Sequence, residues 1–545
     1  MEILAKKLPY IKLEPQYKKW KAQEDLRDAK RQHYVQGANK NSADVLYRQK
    51  QAKAVAQNVL MLDNYVYNKA EDVEAVFVTV NMQLLAGVAA LTAIPQTITK
   101  LIPVIEKHSK NTKLANILNN YQKTTIGKSK LPLPKLLTAG MACLSALIYA
   151  HGVSKSTKAQ LSATRRAKFE GLTSQFNADA DYAVLNNTQE AEIEKKLSDK
   201  SNPINLETEI KTPFIKKLLS RINIKKTLSE TQKLINKNTE YKQNKNQFEA
   251  KLNNSPFKAT KGNKQILEDM IKYVDLKSED DLERMDKVVN VGYSSLFVGG
   301  FLEYLISDKL IDMLHLKNPV IKFGAKLILP LATYLVMNKN IANIQNNAIK
   351  ATRYKNIKKF VENKENFVEI PQNLNNSAEV KTEKKPGLLK FLKGMLKDIK
   401  EYEKFEETEL PKLNKRHELK KSISLTPEQK KEAQTLKLNT QYAIHKEADN
   451  RKHFAQGVEA FSEITLAPFE IASTALGAFL GSKIGAHCKS GAMKRFYMAI
   501  GALIAFIPTA IVEIMTTAEQ KKALRIASMK TIEDMNNSDM FKHAK

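Results

Sequence analysis

Cysteine is nearly absent. The 545-residue chain holds two, Cys143 and Cys488, which excludes a disulfide framework and points to polar parts facing a reducing compartment. Glycine and proline number only 19 and 17, too few for a chain of many turns. The long apolar–polar alternation of a half-buried β-sheet is missing too. From Met1 to Trp20, lysine and proline recur every few positions with no apolar core, so this stretch does not read as a secretory signal peptide.

Signatures of catalysis are also missing. A phosphate loop needs two glycines before its Lys-Ser/Thr, so that backbone N–H groups can surround the phosphate. Gly127-Lys128-Ser129 supplies the end of such a loop, but Gln122 stands where the first glycine is required. There is no C-x-x-C, no H-E-x-x-H and no G-x-S-x-G, and the nine histidines are scattered. The sequence therefore predicts no catalytic residue, no metal and no cofactor, and the chain reads as a protein that is not an enzyme.

What the chain does have is positive charge and blocks of apolar residues. Lys and Arg total 88 against 58 Asp and Glu, a formal net charge of +30. The polar stretches are rich in Lys, Glu, Gln, Leu and Ala, all good helix formers, and the fold class expected is all-α. Apolar residues gather in six segments: Val76–Ile105, Leu131–Val153, Val288–Ile306, Pro319–Met337, Val458–Ile484 and Ala499–Met515. A spanning helix needs about 20 mostly apolar residues, which the second member of each pair approaches. The first members carry more polar residues. The competing reading is a large soluble bundle, favoured by the mean hydropathy of -0.41. Against it stand small-residue stripes at Gly477, Gly481 and Gly485 and at Thr138, Ala142, Ala146 and Ala150, which let helix backbones approach in lipid. The expectation is a membrane protein with six hydrophobic helices arranged as three helical hairpins.

Related polar stretches flank each apolar pair. Before it come QNVLMLDNYVYNKAED, QILEDMIKYVDLKSED and QTLKLNTQYAIHKEAD, which align Tyr65/Lys69/Asp72 with Tyr273/Lys277/Asp280 and Tyr442/Lys446/Asp449. After it come QLSATRRAKFEGL, QNNAIKATRYKNI and QKKALRIASMKTI, starting at Gln160, Gln345 and Gln520. The same order three times predicts three diverged tandem repeats. The domain layout follows. A basic N-terminal segment (1–56) precedes repeat 1 (57–172, hairpin 76–153). A basic polar linker (173–264) leads to repeat 2 (265–357, hairpin 288–337), and a second polar linker (358–433) to repeat 3 (434–535, hairpin 458–515), before a tail (536–545). The Tyr-x-x-x-Lys-x-x-Asp spacing puts three side chains on one helical face. It reads best as a helix ending at the membrane surface with Tyr as its anchor.

Both linkers are helical in composition, and each holds a proline-led basic amphipathic segment, Thr212–Lys226 and Lys385–Lys400. In the second, Leu388, Leu392, Met395 and Ile399 share one face. Such helices lie on anionic lipid. Nucleic acid is not favoured as a partner, because no recognition signature accompanies the charge; a protein partner is compatible with it. Basic residues after each hairpin, such as Lys339, Lys521, Lys522 and Arg525, put linkers and termini on the cytoplasmic side.

Charges inside the apolar segments are the remaining candidate sites: Glu303, Lys322, Lys326, Glu463, Glu470 and Glu513. With the second hairpin's turn centred near residue 313, Glu303 lies at the depth of Lys322 with Lys326 one turn deeper, which predicts a Glu–Lys pair. Two functions are consistent with these features. The first is a membrane-embedded, non-catalytic scaffold or interaction protein with lipid-facing basic linkers. The alternative is a small-solute or ion transporter using the carboxylates in its apolar helices.

Overall fold

The computed structural model describes residues 8–69, 163–175, 183–198, 238–313, 319–370, 386–420, 422–461, 467–488 and 490–544, with isolated positions at 229 and between 116 and 137. The first apolar pair, Asp72, Glu463, the Thr138–Ala150 stripe and the Thr212–Lys226 segment lie outside the described residues. Among those described the protein is all-helical, apart from a two-residue pairing of Thr125–Ile126 with Leu131–Pro132.

After a short turn, Pro9–Leu13, α1 runs over Glu14–Val35 and α2 over residues 43–69. Next come α3 (163–170, continued by a π-turn Gly171–Gln175), α4 (Asn187–Ser198) and α5 (Asn238–Asn253). The long helices follow. Lys261–Met270 (α6) passes through a π-turn, Ile271–Leu276, into α7 (Lys277–Met313). Then come α8 (Pro319–Glu362), α9 (Leu388–Thr408) and α10 (Leu410–Lys420). Last are α11 (Pro427–Phe461), α12 (Ala467–Gly485) and α13 (Gly491–Asn537).

Local chemistry sets several starts. At α11, the Gln429 N–H donates to Thr426 Oγ1 and the Thr426 N–H to Gln429 Oε1, a reciprocal cap. Asn186 and Gln189 do the same ahead of α4. Thr260 caps α6 by accepting from the Asn263 N–H at 3.2 Å.

Two of the three apolar pairs are visible as packed helices, α7 with α8 and α12 with α13. The glycine stripe on α12 is the reason the third pair closes. A Cβ added at Gly477 would lie 2.3 Å from the Gly501 carbonyl oxygen, and one at Gly481 would lie 2.0 Å from that of Tyr497. These glycines therefore mark backbone-to-backbone contact.

Among the described residues one helix, Met493–Asn537, is long and apolar enough to cross a membrane. Six such helices were expected. Of the two members of the second hairpin, α7 spends more than a turn at its start on charged residues, and α8 carries Lys322 and Lys326 near its start.

The polar ends of the long helices converge on one core. It takes Val55 and Val59 from α2, Leu267 and Val274 from α6 and its π-turn, Ile357 and Phe360 from α8, Leu436 and Tyr442 from α11, and Ile532 and Met535 from α13. Both chain ends enter this end of the molecule. Tyr10 donates its hydroxyl to Glu519 at 2.6 Å, and the Phe541 ring packs against Tyr442. Linker residues Leu252 and Phe367 are buried in the same core, so segments that look separate in sequence share one apolar interior.

Candidate functional site

Buried charge is concentrated where the polar helix ends meet. Arg353 on α8 donates from Nε to Asp63 on α2 and from Nη1 to Asp275 in the π-turn, each at 2.6 Å. Arg451 on α11 bridges Glu447 at 2.8 Å and Glu279 at 2.9 Å. Lys521 on α13 holds Glu279 at 2.5 Å and Asp286 at 2.6 Å. Lys168 on α3 reaches Glu447 at 3.7 Å. On the outside, Arg525 pairs with Asp280 at 2.7 Å and with Glu283.

The pairs follow a rule. Helix α13, which closes the third apolar pair, is tied to α7, which opens the second. Helix α8, closing the second, is tied to α2 before the first; α3, after the first, is tied to α11 before the third. These cross-links run in a ring. Lys168 and Arg353 each stand eight positions after the leading glutamine of their segment, Gln160 and Gln345, where the third segment has Ser528. That basic position, shared by two of the three segments, is the sequence signal for the network. The shared alanines Ala163, Ala348 and Ala523, and the residues at the last shared position, Leu172, Ile357 and Ile532, are buried in all three segments.

Burial and neighbours sort the carboxyls. Asp275 is pushed up to about 6, first by burial and then by Glu447, against the pull of Arg353 and Arg451. Glu279 goes the other way, to about 2: burial opposes its charge, but Lys521 and Arg451 outweigh it. The stability due to Glu279 is thus complete above its ordinary range and is lost as pH falls from about 4.5 toward 2. Asp275 has the opposite sign. Its ionised form is disfavoured in the fold, so the penalty is present above about pH 6 and is relieved as pH falls through that value.

The repeated Tyr-x-x-x-Lys-x-x-Asp residues do not sit where a membrane anchor would. Tyr442 is buried in the shared core and Tyr273 packs against it, stacking on Phe360 at 5.9 Å. The helices continue past these tyrosines instead of ending at them. The Tyr–Lys face survives in two copies: the Lys69 ammonium lies 5.7 Å from the Tyr65 ring and Lys446 lies 5.8 Å from that of Tyr442. In the second copy a π-turn covers Tyr273 and ends just before Lys277, which changes the angular spacing of the two. The aspartates serve as ion-pair partners: Asp280 takes Arg525 and Asp449 takes Lys245 at 2.8 Å.

Of the charges in the apolar segments, Glu303 faces α8, as expected, but its observed partner there is a hydroxyl. Thr333 Oγ1 donates to Glu303 Oε1 at 2.9 Å, while Oε2 is buried with no hydrogen bond among the described residues, outside which the Lys322 and Lys326 side chains lie. Helix α7 extends to Met313 and α8 starts at Pro319, which moves the symmetry point of the hairpin from 313 to about 316, and the contact of 303 with 333 puts it near 318. Lys322, Lys326 and Glu470 lie on helices, with side chains outside the described ones. Glu513 is buried on α13.

One set of side chains has the composition of a metal site. Ligand atoms of Glu249, His445 and Asp449 lie within 4.8 Å of one another. The Lys245 ammonium already sits among them, 3.2 Å from Glu249 and 2.8 Å from Asp449. Fixed positive charge at the centre of the donor set makes it an ion-pair cluster that docks α5 on α11. His445, pushed down by burial, stacks edge-on against Phe248 there.

No family model matches the chain, and comparison with curated proteins and with solved structures finds no match.

Proposed function

We propose that this protein is a membrane-embedded, non-catalytic scaffold. Three diverged repeats each insert an apolar hairpin, and their polar helix ends assemble into one ion-paired bundle on the membrane surface. The observation that carries this reading is the asymmetry along the third hairpin. Its far end turns large apolar side chains outward, with Ile484 61%, Phe496 54% and Ile504 62% exposed, while its near end is buried in the bundle. A contiguous exposed apolar face of this kind marks a lipid or protein contact, and the length and hydropathy of Met493–Asn537 favour lipid.

Helix α9 supports the lipid surface as partner. Its inner face rests on the bundle through Ile399, Tyr402 and Phe405. Of the apolar face read from the sequence as lipid-facing, Ile399 and Met395 instead pack on the bundle, while Leu388 is exposed, as are Leu389 at 77% and Leu396 at 53%. These leucines alternate with Lys390, Lys393 and Lys397, and Arg284 near the head of α7 holds the helix start through the Pro386 carbonyl and the Phe391 ring. Leucine and lysine together on a free face suit the interface of an anionic bilayer. Tyr10 and Phe541 both lie in the bundle, which agrees with hairpins that return to the side they left; assigning that side to the cytoplasm rests on the basic residues flanking them.

The test is extraction of membranes from cells expressing the full chain. Carbonate washing should leave the protein in the pellet, and its release into the supernatant would overturn the membrane reading. A second reading, transport of a small solute or ion, is supported by a Glu303 oxygen that is buried without a hydrogen bond among the described residues. It would show as a cation-dependent rise in thermal stability that Glu303→Gln abolishes.

A further inference from the structure

The turn that joins α12 to α13 carries charge of one sign. Between Glu470 and Glu513 the sequence has no acid, while Lys483, Lys489, Lys494 and Arg495 gather about the turn. Lys483 and Lys494 are exposed. Among the described residues no carboxylate pairs with Lys483, Lys494 or Arg495. Lys483 lies 5.6 Å from the Phe479 ring, and Arg495 Nε donates to the Gly491 carbonyl at 3.4 Å. Large apolar side chains stand among these cations, with Phe479 55%, Ile484 61% and Phe496 54% exposed. Positive charge interleaved with aromatic and aliphatic groups suits the headgroup level of a bilayer. There the stems and rings stay in apolar surroundings while the charged tips reach phosphate.

Helix geometry gives the depth of the turn. On α13, large exposed apolar side chains run from Phe496 through Ile504, Ile507 and Ile511 to Met515. This band is about 29 Å long at the α-helical rise, against about 30 Å for the hydrocarbon of a bilayer. The ion-paired bundle closes one end of it, where Thr517 is fully buried and Lys521 holds Glu279. Lys494 and Arg495 close the other end, immediately before Phe496. A shallow insertion would leave part of the band in water. We propose that the third hairpin crosses the whole bilayer and that its turn binds the phosphates of anionic phospholipids on the face opposite the bundle, through Lys483, Lys494 and Arg495. The proposal rests on the membrane reading and adds to it a full crossing and a second lipid contact, on the other face from that of α9.

The experiment uses the full chain with Cys143→Ser and Lys412→Cys, reconstituted into sealed vesicles of phosphatidylcholine and phosphatidylglycerol. Two thiols then remain, Cys488 at the turn and the new one on α10, where the Lys412 side chain is 63% exposed on the bundle. A membrane-impermeant maleimide is added outside and labels are counted on each molecule by intact mass. Every molecule should take one label whichever way it inserted, and two once detergent opens the vesicles. Molecules with two labels beside molecules with none, in intact vesicles, would overturn the crossing. Ser490→Cys, at an exposed position, replaces Cys488 if that thiol proves unreactive in detergent. For the lipid contact, a bimane on Cys488 is quenched with phosphatidylglycerol or phosphatidylcholine, each spin-labelled near the top of the acyl chain. Phosphatidylglycerol should quench at least twofold more at equal mole fraction, and Lys494→Gln with Arg495→Gln should bring the two level. Equal quenching in the parent chain, or an undiminished preference in the double variant, would overturn the phosphate contact. Protein that resists carbonate yet labels from one face fails here alone, whereas release by carbonate fails the membrane reading itself.

Discussion

Arg353→Met is expected to destabilise the chain by about 3–5 kcal/mol at pH 8, because it removes one partner from a buried ionic triad. Arg353 joins Asp63 of α2 and Asp275 of the π-turn at 2.6 Å each. Methionine fills the volume but leaves two carboxylates facing apolar surroundings, with Glu447 close by. Asp275 already resists ionisation in the native chain, and losing the guanidinium raises its proton affinity further. The loss should therefore shrink at pH 5.5, where the folded variant takes up a proton that the unfolded chain releases more readily. Adding Asp275→Asn to Arg353→Met should recover part of the loss at pH 8 and much less at pH 5.5. Denaturant unfolding of the detergent-solubilised protein at both pH values measures this. A loss under about 1 kcal/mol at pH 8 would show that the ring of ion pairs does not hold the bundle together.

The second large effect is expected at Gly481. Its Cβ position lies 2.0 Å from the Tyr497 carbonyl oxygen and 2.7 Å from the carbonyl carbon. Overpacking against yielding side chains costs about 1–3 kcal/mol. Here the obstacle is the backbone of α13, so Gly481→Val must push the two helices apart along the whole stripe from Gly477 to Gly485. Under the proposed membrane reading, close packing is a main attraction between these helices, and separation removes it. We expect a large drop in melting temperature and rapid protease cleavage in the 486–490 turn. Leu476→Ala, one residue from the stripe but 58% exposed, serves as the control and should change little. A valine variant as stable and protease-resistant as the parent would mean that α12 and α13 do not meet through their glycines.

The glycine stripe was legible in the sequence because its cause is local. Three glycines four residues apart place a smooth ridge on one side of a helix whatever it packs against. The same holds for the all-helical character. Glu303 was legible in part. Its direction followed from hairpin symmetry, but its level depended on where the turn falls, and a helix that runs on to Met313 moves that point by several residues. The burial of Tyr442 and the packing of Tyr273 were not legible, for a similar reason. Aromatic, lysine and aspartate on one face suit a membrane surface or a protein interior equally well, and only the neighbouring helices distinguish the two.

Sequence alone determined that this chain forms long helices with apolar middles and polar ends, because helix propensity and apolar periodicity act within a few residues of each position. Tertiary structure decided which polar end meets which. Arg353 and Asp63 are 290 residues apart, and Lys521 and Glu279 are 242 apart. Nothing in the local pattern of a lysine-rich helix tells a solvated charge from a buried one, since both stabilise the isolated helix alike. The distinction arises only when six helix ends exclude water together and leave each charge to find its partner on another helix.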